Sequence, residues 1–314
     1  MLVRRRIPSK AIMIPTISPA RSRKGYLALV AIAKNEASYL EEWIEFHRLV
    51  GIEHIYLYDN GSTDQTSAVV APYVSQGFVT LIRWSSFDAT VLPQYQAYAH
   101  ALCNFGPYWR WLSFVDADEF IFPLQCDSLQ DALSAYADLP VVALHWHMFG
   151  TSGHKVRPEG LVIENYTRRA RLPTPINAER LCKWKSIVDP SQVSGVISPH
   201  TFSLLDGRLG AYNENREWFD REDRVNAPSR ILRLNHYFTK SEQELAAKVA
   251  KGSACRRPTD NDRPKGWASE RAHLVDTDTV VDEEILRFLK PLRERLGAVD
   301  SASERLQSFD IVHG

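Results

Sequence analysis

WRWLSFVDADEFIFP, residues 109–123, is the most informative stretch of this chain. Its first part, residues 109–115, is rich in aromatic and apolar side chains, and three carboxylates follow, at Asp116, Asp118 and Glu119. A short run of this kind is typical of a buried strand. Carboxylates beside it are costly to bury unless positive charge meets them. The stretch therefore predicts an acidic site at the carboxyl end of a strand, where open α/β sheets bind their ligands.

The spacing of the three acids suggests a metal site. Alternation along a strand would place Asp116 and Asp118 on one side and Glu119 on the other. Two aligned carboxylates suit a hard cation such as Mg²⁺ or Mn²⁺, which takes oxygen ligands and keeps positions open for substrate phosphates. A solvated acidic turn would show the same letters. We expect Asp116 and Asp118 to bind the metal and Glu119 to face away and anchor the turn.

Predicted strands and helices alternate upstream of these acids. The strands are predicted at 26–33, 53–59, 78–84 and 109–115, with a helix between each successive pair. This alternation indicates a mostly parallel sheet with right-handed crossovers and helices on both faces.

Polar residues follow three of these strands. They are Lys34-Asn35-Glu36, Asp59-Asn60-Gly61 and Asp116-Ala117-Asp118. Because the carboxyl ends of parallel strands share one edge of a sheet, we expect the three clusters to converge on one crevice.

The second half of the chain is less regular. Further strands are predicted at 141–150, 181–190 and 230–238, and helices at 128–138, 241–252 and 282–297. Residues 253–273 are polar, basic and contain proline, which predicts a loop. The last helix is amphipathic, so we expect it to pack on the main domain.

Composition excludes some classes of protein. Hydrophobic residues make up 44% and charged residues 24%, as in ordinary globular proteins, and the formal net charge is zero. A nucleic-acid-binding protein would normally carry a basic excess, so none is expected as a partner. The four cysteines are widely separated and form no CxxC pair, which favours free thiols in a reducing compartment.

The amino-terminal residues 1–24 predict a flexible basic leader. No stretch reaches the ~20 apolar residues of a membrane span, and prolines interrupt the apolar part of this leader. We therefore expect a cytoplasmic protein, with peripheral contact to an anionic membrane surface as an open alternative.

Several motifs, in order along the chain, resemble those of GT-A glycosyltransferases, most closely the family-2-like and family-92 group. They are AIAKNEASYLEEWIEFHRLVGIEHIYLYDNGSTDQT, FVDADEFIF, FGTSGH, KWKSIVDP, SPHTF and LNHYFTKSEQELAAKVAKG. The resemblance covers residues 26–252, with a weaker echo at 275–297. It implies a three-layer GT-A fold with a mostly parallel mixed sheet over 25–252. Residues 253–314 would then be a loop and a C-terminal helical extension.

The same resemblance implies a donor, a metal and an acceptor. The donor is a nucleotide-diphosphate sugar, usually of uridine diphosphate (UDP), and the acceptor is a glycan or another hydroxyl compound. Asp118 matches the metal-binding second acid of the family's Asp-x-Asp, and Asp116 matches the first, which faces the ribose or helps to hold the metal. Asn35, Glu36 and Asp59 match positions where such enzymes grip the nucleoside.

Residues from the second half are expected to complete the site. Many GT-A enzymes bind the metal with one further histidine. His200 is preferred here as that ligand, and His236 is then expected to have a structural or donor-loop role. His236 is also the alternative metal ligand. Lys183 and Lys185 would meet donor phosphate as mobile point charges.

The catalytic base is the least defined residue of the predicted site. Inverting transfer, which we expect, needs a carboxylate side chain that acts as a general base and deprotonates the acceptor hydroxyl. The late Glu-Asp pair of family 2 has no clear match. Glu179 ranks first, ahead of Glu119, Asp220 and the pair Glu222-Asp223, while His154 and Trp146 are candidates for acceptor contact.

Three possible functions can be compared on the basis of the sequence. A metal-dependent hexosyltransferase-type glycosyltransferase is favoured by the converging polar strand ends and the acids. A non-catalytic sugar- or nucleotide-binding module of the same fold would explain the missing base. A nucleotidyltransferase would need a glycine-rich loop after the first strand, and AIAKNEAS contains no glycine.

Overall fold

The computed structural model describes residues 10–85, 91–171, 181–220, 229–251 and 266–297. In the first half the elements are β1 (Ile12–Met13), β2 (Gly25–Ala33), α1 (Ala37–Leu49), β3 (His54–Asp59), α2 (Thr66–Ser75), β4 (Val79–Arg83), α3 (Pro93–Phe105), β5 (Trp109–Phe114) and β6 (Glu119–Pro123). The predicted alternation of strands and helices is confirmed in this half.

Strands β5, β2, β3 and β4 lie side by side in this order, and all are parallel. In this register Ala33 pairs with Asp59, and Val30 pairs with Phe114. The ends of three strands that carry polar clusters therefore lie at one edge, as predicted.

Strand β2 is covered on both faces. Leu27 and Leu29 belong to an apolar cluster that contains helix α1, whereas Ala28 and Val30 belong to a second cluster that contains α3. This division explains the nearly continuous apolar sequence of β2, because successive side chains enter opposite cores.

The second half adds antiparallel strands to the sheet. Its elements are α4 (Leu129–Ser134), β7 (Val141–Met148), α5 (Val162–Asn165), β8 (Arg168–Ala170), β9 (Trp184–Val188), β10 (Val193–Val196), β11 (Phe202–Leu204), β12 (Ala211–Tyr212), β13 (Trp218–Phe219), β14 (Leu232–His236), α6 (Glu242–Lys251), α7 (Trp267–Thr277), β15 (Thr279–Val281) and a helix α8 over 289–297. The predicted class, an α/β domain with a mixed sheet, is confirmed.

Two strands of this half carry residues to the acidic turn. Strand β9 lies between β5 and β7 and is antiparallel to both. Strand β14 pairs with β6 in antiparallel register, so that His236 lies beside Glu119. The sheet thus connects residues that are more than a hundred positions apart in sequence.

Both ends of the described chain pack more closely than the sequence suggests. Ile12 and Met13 pair with β10, and Ile17 is buried, so this part of the predicted leader is attached to the domain. Within the predicted loop at 253–273, the residues from Trp267 onward are helical because they belong to α7. The domain boundaries at 24 and 252 stay predictions.

A buried ion cluster joins the C-terminal segment to the sheet. Asp282 follows β15 and has an exposed fraction of 6%. Its Oδ2 atom accepts a hydrogen bond from Arg169 Nε at 2.5 Å and another from the Arg233 guanidinium. Two arginines therefore depend on one buried carboxylate.

Helix α1 also fixes a short helix through a carboxylate. The buried Glu42 side chain accepts hydrogen bonds from Val162 N at 2.7 Å and Ile163 N at 3.0 Å, at the first turn of α5. Burial raises the pKa of Glu42 from 4.5 to about 7, although both amides act in the opposite direction. Among the described segments, no helix is long and apolar enough to cross a membrane.

We predict that Asp282→Ala lowers the free energy of unfolding by about 3–5 kcal/mol, because it leaves buried arginines without a counter-ion. Urea denaturation measures this loss. Asp278→Ala is the matched control, since its pair with Arg171 is largely exposed and is worth less than about 1 kcal/mol. Equal losses for the two variants would contradict the role of Asp282.

We predict that Glu42 makes stability fall as pH rises from about 5 to 8. Its pKa is higher in the folded state, so the folded state binds more protons in this window and loses that advantage as pH rises through the folded pKa. A shift from 4.5 to about 7 corresponds to about 3 kcal/mol. Glu42→Gln should flatten the profile, measured by denaturation at several pH values. The exposed Glu283→Gln should leave it unchanged; a Glu42→Gln profile as steep as wild type would refute the assignment.

Candidate active site

The acidic residues lie in a tight turn between β5 and β6. Strand β5 ends at Phe114, so strand alternation does not extend to the acids. Glu119 Oε2 accepts a hydrogen bond from Asp116 N at 2.7 Å, and Glu119 N donates to Asp116 O at 3.0 Å. The predicted anchoring role of Glu119 is confirmed. Its predicted direction is wrong, because the turn brings its carboxylate to the same lysine as Asp116.

That lysine is Lys185 of β9. Its side chain has no exposed surface, and its Nζ atom lies 2.9 Å from Asp116 Oδ2 and 3.5 Å from Glu119 Oε2. Burial lowers the pKa of Lys185, but Asp116, Glu119 and Tyr98 together outweigh burial and raise this pKa well above its usual range. The structure thus gives Lys185 a different role from the predicted phosphate contact: it is the buried counter-ion of Asp116.

Asp116 is held from two directions and still reaches the crevice. Besides Lys185, it accepts a hydrogen bond at Oδ1 from Gln94 Nε2, at 2.8 Å. Gln94 is itself buried on α3 and also donates to Tyr98 Oη at 2.9 Å. The Asp116 side chain remains 34% exposed. Its carboxylate is therefore both fixed in orientation and open to a ligand.

Asp118 is more deeply buried and has other partners. His236 Nε2 lies 3.4 Å from Asp118 Oδ1, and Lys248 of α6 binds Oδ2. Burial raises the pKa of Asp118, but Lys248 and the contact with His236 hold it well below its usual range. Asp118 is therefore an anion in a largely apolar setting.

Glu119 differs from its two neighbours in charge. Burial raises the pKa of Glu119 well above its usual range, more than nearby Lys185 lowers it. Its Oε1 atom lies 3.8 Å from His236 Nδ1, and both atoms lack a hydrogen-bond partner among the described residues. Within the turn, the pKa of Asp118 is thus lowered and the pKa of Glu119 is raised, so that Glu119 favours its neutral form.

The structure favours His236 over His200 as the histidine beside the acids. Within the described ranges, no ion-pair contact joins His200 to Asp116 or Asp118, whereas His236 contacts Asp118. Burial lowers the pKa of His236, although Asp118 acts in the opposite direction, and a neutral imidazole is the form that binds metals. The alternative histidine, His236, is therefore the one beside Asp118, and the role of His200 as a metal ligand stays a prediction.

His200 belongs to the wall of the same region. Its Nδ1 atom lies 2.8 Å from the Trp184 carbonyl oxygen, which only accepts, so Nδ1 carries the proton and Nε2 is an acceptor. The Trp146 ring contacts both histidines, with centroid distances of 5.2 Å to His200 and 4.4 Å to His236. Trp146 therefore lies at the site, and its predicted contact with an acceptor stays a prediction.

The loops after β2 and β3 are fastened to each other. Asn35 has a positive φ of 54°, and its Oδ1 atom accepts a hydrogen bond from Thr63 N at 2.7 Å. Ser62 Oγ accepts one from Asn35 N at 2.9 Å, and Ser62 N donates to Asp59 Oδ1 at 2.9 Å. Ser62 thus links Asn35 to Asp59 at the edge where β2 and β3 end. Their contact with a nucleoside stays a prediction.

The other predicted residues lie around or outside this centre. Glu36 precedes α1, and its backbone N donates to Thr66 Oγ1 at 3.3 Å. Lys183 is half-buried just before β9, and its carbonyl accepts from Trp146 N. Glu179 and the pair Glu222-Asp223 lie outside the described residues.

His154 lies in the FGTSGH loop. The loop joins β7 to the segment that carries α5. His154 Nε2 is 3.2 Å from the Asn165 carbonyl oxygen, which ties the loop to the end of α5. Its proposed acceptor contact stays a prediction.

Sequence reasoning missed Gln94 and Lys248. Lys248 lies in the motif LNHYFTKSEQELAAKVAKG, on a predicted helix that follows His236, so a signal for it was present. Gln94 lies in the predicted helix before the fourth strand, but its contact with Asp116 depends on how α3 packs on β5.

Residues 30–252 match the model of glycosyltransferase family 92. The chain belongs to this family. The predicted enzyme class, glycosyltransferase, is the class of that family, and membership together with the mixed α/β sheet confirms the GT-A prediction.

Curated family 92 proteins of plants are similar to this family 92 chain. One from Ricinus communis is 26% identical over 295 residues, which cover 86% of this chain and 49% of the relative. One from Oryza sativa subsp. japonica is 28% identical over 201 residues, which cover 62% of this chain and 32% of the relative. The chain spans about half of the first relative and about a third of the second.

Solved structures also show similarity. Staphylococcus aureus TarS in complex with UDP is 17% identical, with a TM-score of 0.33, over 53% of this chain and 47% of that one. Glucosyl-3-phosphoglycerate synthase from Mycobacterium tuberculosis, in complex with Mn²⁺, UDP and glucosyl-3-phosphoglycerate, is 14% identical, with a TM-score of 0.31, over 54% of this chain and 58% of that one.

We predict that Lys185→Met lowers the free energy of unfolding by about 2–3 kcal/mol, because the partly exposed Asp116 carboxylate loses its charged partner. Chemical denaturation measures the change. Lys290→Met, at an exposed position of α8, is the control and should stay within about 0.5 kcal/mol of wild type. A Lys185→Met variant as stable as its control would show that the ion pair contributes nothing.

Proposed function

We propose that this chain transfers a glycosyl group from a nucleotide-diphosphate sugar to a hydroxyl group of a glycan acceptor, with the aid of a divalent cation. UDP is the expected nucleotide. The observation that carries the proposal is the contact between ionised Asp118 and neutral His236, at the edge where three strand ends meet. Membership of glycosyltransferase family 92 supplies the reaction class.

The residues at this edge fit a divalent cation. Asp118 offers carboxylate oxygen and His236 imidazole nitrogen, a donor set suited to Mn²⁺. The Lys248 ammonium already binds the Asp118 carboxylate, so a positive charge is stable there. In the described part of the chain, no group of three or more His, Cys, Asp or Glu side chains is placed so that it could hold a metal ion by itself. Donor phosphates and water would fill the remaining coordination positions of the cation.

A bound cation would neutralise the negative charge that develops on the leaving diphosphate. The chain's own residues would place the donor. Asp116, fixed by Gln94 and Lys185, presents a partly exposed carboxylate that can accept a hydrogen bond from a ribose hydroxyl. Asn35 and Asp59, at the neighbouring strand ends, support a nucleoside pocket beside it.

The remaining parts of the proposal come from the sequence. We retain Glu179 as the base of an inverting transfer and a glycan or polysaccharide as the acceptor. A cytoplasmic location belongs to the same proposal. The cysteines at described positions, Cys103, Cys126 and Cys182, form no disulfide, and the reducing compartment stays a prediction.

We predict that UDP raises the melting temperature only when Mn²⁺ is present, because a ligand that binds the native state adds RT ln(1 + [L]/Kd) to stability, about 2.7 kcal/mol at a hundred times Kd. Differential scanning fluorimetry measures the shift. Asp118→Asn should abolish the metal-dependent part, while Asp127→Asn, at a fully exposed side chain, should preserve it.

Turnover then separates the enzyme from a binding module. Incubation with a panel of UDP-sugars and Mn²⁺ should release UDP. Binding without UDP release under any metal would favour the non-catalytic module of the same fold. A shift that persists in Asp118→Asn would reject the proposed cation site.

A further inference from the structure

Lys248 is the residue of this site that the proposed function does not yet use. Its Nζ atom binds Asp118 Oδ2 and donates to the Phe238 carbonyl oxygen at 3.1 Å. The same Nζ atom lies 4.5 Å from the centroid of the Phe238 ring. The ammonium group is therefore held on the carboxylate that the cation is proposed to bind.

The ammonium group of Lys248 retains capacity for a ligand. An ammonium has three donors. Within the described residues, two of them are used, by Asp118 and by the Phe238 carbonyl, and the side chain is 34% exposed. Lys185 differs in this respect, because its side chain is fully buried. Of Lys185 and Lys248, it is therefore Lys248 that can contact a ligand at this edge of the sheet.

A divalent cation and the Lys248 ammonium compete for the same carboxylate. Asp118 is nearly buried, with His236 at one oxygen and Lys248 at the other. Two positive groups that both contact one carboxylate lie within about 4–5 Å of each other, where like charges repel strongly in a partly desolvated site. A cation at Asp118 and His236 therefore requires the ammonium to move away.

The helix that carries Lys248 is fixed at its start. Ser241 N donates to Glu244 Oε2 at 3.0 Å, and Glu244 N donates to Ser241 Oγ at 3.3 Å, which together form a capping box. Tyr166 Oη donates to Glu244 Oε2 at 2.7 Å, and Tyr39 Oη binds the other oxygen of Glu244. Because the helix is held, any displacement falls to the flexible four-carbon stem of Lys248.

We propose that Lys248 and the divalent cation are alternative partners of Asp118, and that cation binding transfers the Lys248 ammonium to the diphosphate of the donor. This inference rests on the proposed function. In the ligand-free protein, Lys248 compensates the buried carboxylate. In the loaded protein, its ammonium contacts the phosphates, which lysine binds as a point charge.

The exchange predicts that cation and nucleotide bind cooperatively. Without a diphosphate, displacement of Lys248 breaks an ion pair and gains nothing in return, so the cation binds weakly. With a diphosphate present, the displaced ammonium acquires a new anion. By linkage, each ligand must raise the affinity for the other by the same factor.

Calorimetric titration of the full chain with MnCl₂, with and without UDP, tests the exchange. Lys248→Met should bind Mn²⁺ in the absence of UDP at least tenfold more tightly than wild type, because the competing ammonium is gone. At saturating Mn²⁺ it should bind UDP at least tenfold more weakly. Lys290→Met is the control on exposed α8 and should match wild type in both titrations.

A second substitution guards against a folding defect. Lys248→Gln keeps a polar side chain without the charge and should change both affinities in the same directions. Equal Mn²⁺ affinity for wild type and both Lys248 variants would overturn the exchange while leaving the proposed function intact. A wild-type chain that binds neither Mn²⁺ nor UDP would overturn the proposed function and this inference together.

Discussion

The ion pair between Lys185 and Asp116 is the interaction on which the rest of the site depends. Asp116 comes from the parallel half of the sheet, and Lys185 comes from β9 in the antiparallel half. A buried ammonium is tolerated only beside an anion, and the acidic turn is tolerated only beside a cation. The two halves of the sheet are therefore matched in charge at the point where they meet, and this match holds the turn that presents Asp118.

The acids could be predicted from sequence, but their partners could not. Asp116 and Asp118 follow an apolar run, and this local pattern identifies the carboxyl end of a buried strand. His236 reaches Asp118 only because β14 pairs with β6 in one particular register, which nothing near His236 in sequence specifies. The direction of Glu119 was missed for a related reason: period-two alternation stops where the strand stops, at Phe114.

The same distinction applies to the fold. Strands β2 to β5 were predictable because each is a short, largely apolar segment and because helices alternate with them along the chain. The attachment of Ile12 and Met13 to β10 was not, because a two-residue strand at the edge of a small sheet leaves no periodic pattern. Gln94 illustrates the same limit at the site, because a single glutamine on a helix does not indicate which carboxylate it will bind. Its partner, Asp116, is known only from the packing of the helix.

The carboxylate of Asp282 has a consequence for where this protein can be divided. The family match ends at residue 252, yet Asp282 binds Arg233, and Arg233 lies on the strand that ends at His236. A chain that ended at residue 252 would keep the segment that matches the family model and would lose Asp282, the carboxylate that pairs with Arg233 of β14. The segment matched by the family model therefore omits a carboxylate that, in this structure, pairs with the strand of His236.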